Sequence, residues 1–598
     1  MGDAGPDGGS FEPTTPEPPA LPQIAPCPEG WTEVPEPLVA GLSTCEPWPV
    51  GEDCLPGEAR FPGDAACAPV GSACPEGDYA DDLPAGDVVH VLAGAAAGGD
   101  GSVGAPFGAI ADALAVAADG SVVAVSKGVF DEVVVVETPV TLHGACARET
   151  ILASSEAFDF GATLSFATRG GATARNLTVS GERSGIDVDA TASPVVLEDV
   201  VVSGTIDIAL YVRGDLTARD LLVEDTRPAI GGGYGLGLLG ADGAWIELDR
   251  AAFVRNRHAA IDIVGPDTTL TARDLRLEAT AERDDARTHG YGLWLEADAT
   301  AQVERAAIER NHGAAIRVEG SSLTLSDAVV RGTEAQASWS LGGGGLSTQS
   351  GGDVTIARTT FEDNRAGIFV ESAGSTMALT DVVVRDVLGS TLDVSGTGIN
   401  ADAQGRIDAL RVAVLRVRTA GIRITGEASL EGADVLVASM LSQERDGEFG
   451  YGITADRRGG IDLARVAVDG GRHAGAVVFQ AGSTLALTDA DLGPTLEREC
   501  VATGCAGGGI GVAALQGGVA FVARFRVHGS ALCGVQVATD GWLTLEDGVV
   551  ESNLIGANVQ VDPFDYAAIT DRVLYRDNTR DLDATSLPLP APIGAPGG

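Results

Sequence analysis

Lysine is almost absent from this chain, and aromatic residues are scarce. Lys127 is the only lysine among 39 basic residues, aromatic residues make up 5% of the sequence, and the formal net charge is −46. A surface this acidic repels phosphates and anionic membranes, so we expect neither nucleic acid nor a membrane surface as a partner. No run of 18 apolar residues occurs, so no transmembrane segment is predicted.

Small aliphatic residues and glycine dominate instead. Hydrophobic residues form 44% of the chain, and 81 of the 598 residues are glycine. With so few aromatic residues, the core must consist of Val, Leu, Ile and Ala, which favours stacked β-structure over a helical bundle. Because solenoids grow in one dimension, the length does not require several ordinary domains.

Cysteine is concentrated near the amino terminus, in a segment rich in proline and glycine. This clustering predicts a disulfide framework and an oxidising compartment, with the pairing left open. Zinc is the alternative, but the segment has no CxxC pair and no histidine. Cys533 stands alone, and the candidate disulfide residues are Cys27, Cys45, Cys54, Cys67, Cys74, Cys146, Cys500 and Cys505.

Composition divides the chain into four parts. Residues 1–26 are rich in proline, glycine and acidic residues and are predicted to be disordered. Residues 27–86 form a Cys-rich head, residues 87–580 repeat, and residues 581–598 form a Pro/Gly-rich tail. No export signal is visible at Met1. Export is nevertheless expected from the cysteines, and a lipoprotein anchor upstream of Gly2 is one way to achieve it.

A short helix is predicted at the start of the repeating part. Apolar residues at Phe107, Ile110, Ala113, Leu114 and Ala117 lie on one helical face, and Gly120 is a typical C-cap residue. Three strands follow, in SVVAVSKGVF, EVVVVE and PVTLHGA. A helix in this place would cover the exposed end of a solenoid.

From about residue 170, apolar residues recur at positions n, n+2, n+5 and n+7 of each unit. The period of two predicts strands with one buried face, and the step of three predicts a corner between two strands. A third strand of the form Gly-apolar-x-apolar closes each coil, and long and short coils alternate. The units begin at Ala172, Val195, Leu216, Ile246, Leu270, Ala301, Leu323, Val354, Met377, Ile407, Leu430, Ile461, Leu485, Ala520 and Leu543.

This repeat resembles the pectin lyase-like superfamily of right-handed parallel β-helices. The opening segment also resembles the first coil of that superfamily, including the turn formed by Gly128, Phe130 and Glu132 in methylesterase-like members. The resemblance covers about residues 87–580 and implies an all-β solenoid with three short strands per coil and an N-terminal capping helix. The catalytic patterns of the superfamily do not carry over, since no Gly-His-Gly, Gln-Asp or Trp-x-Asp-His segment occurs.

The extra residues of the long coils fall at one corner, just before the third strand. Stacked insertions of this kind commonly carry binding sites in solenoids, although tolerated surface insertions are the alternative. Aromatic residues near this corner could stack on sugar rings: Tyr234, Tyr291, Trp294, Trp339, Phe369 and Tyr451. The acidic residues of the same lip are Asp284, Asp285, Glu444, Asp446 and Glu448.

The remaining polar repeats are interpreted as structural. Asn256, Asn311, Asn364 and Asn553 recur after the second strand and predict a hydrogen-bonded ladder. His258, His312 and His473 are assigned to turns, so no metal site is predicted. The acidic lip could hold Ca²⁺, but no calcium-binding repeat supports it.

We expect an exported rod at the cell surface or outside the cell, without catalytic activity, that contacts a polysaccharide or a surface protein. The alternative is a polysaccharide lyase or glycoside hydrolase with a divergent acidic site on the stacked loops. The sequence leaves the ligand, the membrane anchoring and the oligomeric state open.

Overall fold

The computed structural model describes residues 11–48, 54–84, 86–155, 161–229, 232–283, 288–336, 343–387, 389, 396–443, 447–499 and 507–594. The chain divides into two compact units. We call Ile24–Arg365 the amino-terminal unit, and Met1–Gln23 together with Ala366–Gly598 the carboxy-terminal unit. No helix among the described residues is long and apolar enough to cross a membrane.

Nearly all regular structure of the amino-terminal unit is β-strand. Its elements are β1 (Thr32–Pro35), β2 (Ser43–Glu46), β3 (Glu58–Ala59), β4 (Ala68–Pro69), β5 (Val88–Val91), α1 (Ile110–Leu114), β6 (Val122–Val125), β7 (Gly128–Asp131), β8 (Val134–Val136), β9 (Thr141–Gly144), β10 (Thr150–Ser154), β11 (Ala162–Phe166), β12 (Ala172–Gly181), β13 (Ser184–Val188), β14 (Val195–Ser203), β15 (Ile208–Val212), β16 (Leu216–Glu224), β17 (Leu236–Gly240), β18 (Trp245–Val254), β19 (Ala259–Val264), β20 (Thr269–Glu278), β21 (Tyr291–Glu296), β22 (Thr300–Glu309), β23 (Ala314–Glu319), β24 (Ser322–Arg331), β25 (Gly344–Gln349) and β26 (Asp353–Glu362).

The carboxy-terminal unit repeats the same alternation of long and short strands. Its elements are β27 (Ala366–Val370), β28 (Thr376–Arg385), β29 (Thr397–Ala401), β30 (Arg406–Leu415), β31 (Ala420–Ile424), β32 (Ser429–Ala438), β33 (Tyr451–Ala455), β34 (Gly460–Asp469), β35 (Ala474–Phe479), β36 (Thr484–Leu492), β37 (Ile510–Leu515), β38 (Val519–His528), β39 (Cys533–Ala538), β40 (Trp542–Glu551), β41 (Ile555–Val559), α2 (Ala567–Thr570), β42 (Val573–Arg576) and β43 (Arg580–Asp583).

Each unit is a parallel β-helix. In the repeating part, long strands pair only with long strands and short strands only with short strands, and every pairing is parallel with the next coil. The interior is filled by aliphatic side chains from every strand, and Ile246, Leu248 and Leu270 are examples with almost no exposure. The predicted all-β solenoid is therefore confirmed.

The corner inside each long strand differs from the expected break between two strands. Hydrogen bonding continues past it, so the first two predicted strands form one bent strand of 9 or 10 residues. The bend lies at position n+4, which we call the corner residue, and its φ is positive, from 44° to 60°. The corner residues are Asn176, Asp199, Asp220, Arg250, Asp274, Arg305, Asp327, Arg358, Asp381, Arg411, Asp434, Arg465, Asp489, Arg524 and Asp547.

The predicted capping helix is present but shorter than expected. Helix α1 ends at Leu114, and the amides of Val116 and Ala117 both donate to the carbonyl of Ala113 just beyond it. Ile110 and Ala113 are fully buried, as their helical spacing indicated. Gly120 lies beyond the helix with a φ of +82°.

Glu132, the acidic residue of the opening turn, caps this helix. Its carboxylate accepts the first two amides of α1, from Ile110 at 2.8 Å and from Ala111 at 3.1 Å. A carboxylate at this end of a helix satisfies orphan amides, which ties the opening turn to the cap.

Three disulfides join the six cysteines of the amino-terminal part. They are Cys27–Cys45, Cys54–Cys67 and Cys74–Cys146. The predicted framework is thereby confirmed, and these cysteines are not available for zinc. Cys533 is a buried free thiol, whose burial raises its pKa to about 12. Cys500 and Cys505 lie outside the described residues.

The Cys-rich head packs against the outer side of the long strands. Phe61 and Val70 of the head form an apolar cluster with Leu222, Ala252 and Val254. Arg331 of β24 joins the head to the solenoid through Glu46 at 2.7 Å and also contacts Glu362 at 3.2 Å. Folding of the head therefore depends on the coils beneath it as well as on its disulfides.

Residues 1–26 were expected to be disordered; the described part, residues 11–26, follows a path without helix or strand. Proline favours such a path because it fixes φ and removes a backbone donor. Residues 11–23 lie on the corner residues of the carboxy-terminal unit, and their contacts are described below.

The repeated asparagines form buried bridges between coils. The side-chain oxygen of Asn364 accepts the amide of Thr333 at 3.0 Å, and its side-chain nitrogen donates to the carbonyl of Val330 at 2.9 Å. Asn311 makes the equivalent pair of bonds to Thr280 and Leu277. Each asparagine therefore satisfies backbone groups of the preceding coil that the corner leaves unpaired.

We expect Asn364→Ala to lower the free energy of unfolding by about 1–3 kcal/mol, because it leaves a buried amide and a buried carbonyl without partners. Urea denaturation followed by circular dichroism measures the change. Thr355→Ala, on an exposed position of the adjacent strand β26, is the control and should change stability by less than about 0.5 kcal/mol. Equal effects of the two substitutions would show that the ladder is not a stabilising element.

Candidate functional site

The outward side chains of β19, β21, β23 and β25 form one face of the amino-terminal unit, which we call the third-strand face. The parallel register places Asp262, Trp294, Arg317 and Ser347 in one column across these strands. Trp294 points outward, as the sequence alternation predicts, because the leucines on either side of it are buried in the core. Stacking of coils thus gathers residues that lie more than twenty positions apart in the chain.

Five rings gather at this column and form what we call the aromatic patch. Tyr291 and Trp294 belong to β21, whereas Tyr234, His258 and His289 lie just before third strands. The ring centroids of His258 and His289 are 4.2 Å apart, and Trp294 lies 5.4 Å from both His289 and Tyr291. Tyr234 makes an edge contact with His258 at 5.0 Å.

Sequence reasoning selected the three larger rings of the patch but assigned His258 to a turn and did not select His289. The signal that would have identified these two histidines is their shared position within the coil. His258 lies one residue before β19 and His289 two residues before β21, so both occupy the same corner of adjacent coils. Adjacent coils are about 4.8 Å apart, which brings such residues into contact.

The patch is open at its edge and covered at its base. Tyr234 is 45% exposed, whereas Tyr291 is 8% exposed. The guanidinium carbon of Arg283 lies 5.3 Å from the ring centre of Tyr234, and that of Arg317 lies 5.6 Å from the ring centre of Tyr291. These distances are within the range of cation–π contacts, so both arginines help to hold the tyrosine rings in place.

The charge state of His289 follows from its surroundings. Burial lowers the pKa of His289, and the nearby charges of Arg283 and Arg317 lower it further. His289 is therefore neutral at pH 7 and contributes an apolar aromatic surface with one donor and one acceptor.

A buried carboxyl group lies next to the patch. Asp262 occupies the position beside Trp294 in the register, it is 5% exposed, and its Oδ1 has no hydrogen-bond partner. Burial raises its pKa well above the usual range, and the charges of Glu296 and Glu319 raise it further. Nε1 of Trp294 is also buried without a partner.

Two more carboxyl groups border the column. Glu296 and Glu319 are paired in register on β21 and β23, and Glu319 forms an ion pair with Arg317. Burial raises the pKa of Glu296, and the neighbouring charge of Glu319 adds to this effect. The site therefore combines aromatic faces, unpaired polar atoms and carboxyl groups, which is a set suited to hydroxyl-rich ligands.

One family model matches part of the repeating region. Residues 281–437, which include part of the aromatic patch, match the family model described as a right handed beta helix region. The chain carries a right-handed parallel β-helix. No curated protein matches its sequence.

The β-helix is also similar to solved structures at low identity. Pectin methylesterase PemA from Erwinia chrysanthemi is 12% identical over 47% of this chain and 80% of that one, with a TM-score of 0.21. The GH87 alpha-1,3-glucanase catalytic unit from Streptomyces thermodiastaticus strain HF3-3 is 14% identical over 79% and 70%, with a TM-score of 0.25. Tailspike protein 3 of bacteriophage CBA120 is 11% identical over 82% and 61%, with a TM-score of 0.23.

The third-strand face of the carboxy-terminal unit is covered by the tail of the chain. The hydroxyl of Tyr451 donates to the carbonyl of Ala591 at 2.8 Å, and Gln536 donates to Pro588 at 3.3 Å. Leu587 and Ile593 pack onto the same apolar cluster as Tyr451. Tyr451 is fully buried, so it cannot stack on a sugar in this structure, and it must be removed from the predicted aromatic row.

The remaining predicted residues do not join the aromatic patch. Phe369 lies half-buried on β27, in the other unit. Glu448 is paired with Arg498, so it is not a free member of an acidic lip. Trp339, Asp284, Asp285, Glu444 and Asp446 lie outside the described residues.

We expect Asp262→Asn to raise the free energy of unfolding at pH 7 by about 1–3 kcal/mol, because it replaces a buried acid by a neutral amide of the same shape. The folded protein retains a proton that unfolded Asp262 releases above about pH 4, so wild-type stability falls as the pH rises from that value. Urea denaturation at pH 3.5 and pH 7 tests this prediction. The variant should have a higher free energy of unfolding than the wild type at pH 7 and nearly the same one at pH 3.5. An equal increase at both pH values would contradict the proposed protonation of Asp262.

Proposed function

We propose that the β-helix binds a neutral polysaccharide through the aromatic patch of its amino-terminal unit and does not cleave it. The observation that carries the proposal is the row of contacting rings formed by Tyr234, His258, His289 and Trp294. Aromatic faces stack against the apolar faces of sugar rings, and an extended row can follow an extended chain of sugars.

The charges around the rings favour an uncharged ligand. The unpaired Nε1 of Trp294 and Oδ1 of Asp262 are buried, so neither reaches a ligand unless the side chains above them move. Arg317 is already engaged with Glu319, and the net charge of the chain is −46. The excess of negative charge favours a neutral sugar chain over an acidic one, because the acidic surface would repel a polyanion.

A role outside the cell fits the chemistry of the cysteines. The disulfides Cys27–Cys45, Cys54–Cys67 and Cys74–Cys146 form in oxidising compartments, where extracellular polysaccharides and surface proteins are encountered. We therefore place the proposed binding at the cell surface or in the surrounding matrix, and a surface protein remains the alternative partner.

Glycoside hydrolysis is the second candidate, and the raised pKa of Asp262 favours it. A carboxylic acid with a raised pKa can act as a general acid, with Glu296 or Glu319 as the second carboxylate. Against this, Asp262 is 5% exposed, so a bound sugar could not reach its carboxyl group without movement of the side chains above it. Binding without cleavage is therefore the function that the geometry supports better.

We expect Trp294→Ala to weaken polysaccharide binding about 10–100-fold, because central tryptophans of binding sites commonly contribute about 2 kcal/mol. The pure protein is titrated with a panel of neutral and acidic polysaccharides by affinity electrophoresis and calorimetry. Trp245→Ala is the matched control, since Trp245 is a 45% exposed tryptophan at the start of β18, outside the patch. It should leave binding unchanged.

Polymer length in the same samples, measured by size-exclusion chromatography, separates the two candidates. Unchanged length with a co-eluting protein supports binding. Shortened polymer that requires Asp262, shown by loss of cleavage in Asp262→Asn, would replace the binding proposal by hydrolysis. Neither binding nor cleavage across the panel would contradict both.

A further inference from the structure

The corner residues of the carboxy-terminal unit alternate between Asp and Arg, and they form a ladder of ion pairs along the coils. Arg411 binds both carboxylate oxygens of Asp381, at 2.6 and 2.7 Å. The same two-bonded arrangement joins Arg465 to Asp434 at 2.7 and 2.8 Å. The further pairs are Arg524 with Asp489 at 2.6 Å and Arg572 with Asp547 at 3.5 Å.

Residues 11–23 lie along this ladder and bond to every one of its aspartates. Their backbone amides donate to the carboxylates at intervals of three residues along the segment, and successive amides reach every second coil. The bonds are Thr14 to Asp547 at 3.0 Å, Glu17 to Asp489 at 3.4 Å, Ala20 to Asp434 at 2.9 Å and Gln23 to Asp381 at 2.7 Å.

The prolines of the segment share this interval of three. A proline stands immediately before each of the four donors, at Pro13, Pro16, Pro19 and Pro22. Polyproline II structure has three residues per turn and rises about 9.3 Å per turn. Two coils of a β-helix span about 9.6 Å, so one turn of the segment matches the distance between successive aspartates of the ladder.

The match between the turn of the segment and the spacing of two coils explains why a proline precedes each donor. Proline fixes the extended backbone before binding, which reduces the entropy lost on docking. Proline has no amide proton, so the donor facing each carboxylate must be the residue that follows it. Thr14 adds a second bond, from its hydroxyl to Asp547 at 2.7 Å.

The electrostatics of the ladder are suited to an amide donor. Hydrogen bonds from Arg465 lower the pKa of Asp434, and the amide of Ala20 contributes to the same effect. The pKa values of Asp489 and Asp547 are lowered as well, and each aspartate of the ladder holds an arginine of the next coil as well as an amide of the segment. A carboxylate with its arginine in place retains lone pairs for one more donor, which the segment provides.

We propose that the Asp–Arg ladder is a binding site for proline-rich peptides in the polyproline II conformation, with proline at every third position, and that residues 11–23 are its resident ligand. The ladder binds backbone amides that follow prolines at every third position, and it makes little use of the side chains. A segment with the same spacing from another chain can therefore replace residues 11–23. This site is separate from the aromatic patch and does not depend on the polysaccharide proposal.

Two full-length double variants test the proposal. Glu17→Pro with Ala20→Pro removes two donors and preserves the polyproline II backbone. Thr15→Pro with Leu21→Pro is the matched control, because it adds the same number of prolines at positions whose amides make no hydrogen bond in the structure. Hydrogen exchange of the fragment 11–23, measured by mass spectrometry, reports whether the segment stays bound.

We expect the amides of Thr14 and Gln23, which all three proteins retain, to be protected in the wild type and in the control but to exchange at least tenfold faster in the donor variant. Equal protection in the two double variants would overturn the role of the ladder. The second measurement is the fluorescence anisotropy of a labelled synthetic peptide with the sequence of residues 11–23. It should bind the donor variant at least tenfold more tightly than the wild type, whose site is occupied.

A peptide of the same composition with shuffled prolines is the control ligand and should bind at least tenfold more weakly. Release of the segment without binding of the added peptide would overturn the proposal of a peptide-binding site. Equal binding of the two peptides would overturn the spacing rule on which the proposal rests.

Discussion

The left-handed backbone of the corner residue is the constraint on which the rest of this structure depends. It bends each long strand, and the strand pairing resumes directly after the bend, so a coil can close with only one more short strand. Residues other than glycine adopt this conformation at a cost of about 1–2 kcal/mol each. Asp and Asn tolerate it better than most residues, and in this chain the alternating arginines form ion pairs with the aspartates of the neighbouring coil.

The same constraint arranges the charges of the molecule. Because the corner residue occurs once per coil at a fixed position, the alternation of Asp and Arg in sequence becomes a row of neighbouring charges within each unit. In the carboxy-terminal unit this row meets residues 11–23, whose prolines recur with the matching interval. A segment whose composition is typical of disorder is thereby ordered, because its few amides each find an ionised partner.

The two third-strand faces show how one coil architecture can serve two purposes. In the carboxy-terminal unit, Leu587 and Ile593 of the tail cover the face, and Tyr451 becomes part of a closed apolar cluster. In the amino-terminal unit, the equivalent face presents Trp294 beside His289, with Tyr234 exposed at the edge. Binding is proposed where the face is open, since an apolar ring covered by the chain itself has no access to a ligand.

The sequence by itself determined the coil, because apolar residues at n, n+2, n+5 and n+7 can be buried together only if the chain turns at a fixed place. It also indicated the oxidising compartment, the capping helix and the bonded asparagines, since each depends on local spacing or composition. It could have revealed the Asp–Arg alternation at n+4 and the prolines at every third position, although their meaning required a partner surface.

The tertiary structure alone decided which distant residues meet. His258 lies on the coil before the one that carries His289 and Trp294, so only the register of parallel strands brings its ring into contact with theirs. The buried state of Asp262 likewise follows from its neighbours on adjacent coils, and its raised pKa cannot be read from an alternating strand pattern. The paths of residues 11–23 and 587–593 were also decided by the tertiary structure, because segments without a periodic core take their conformation from the surface on which they lie.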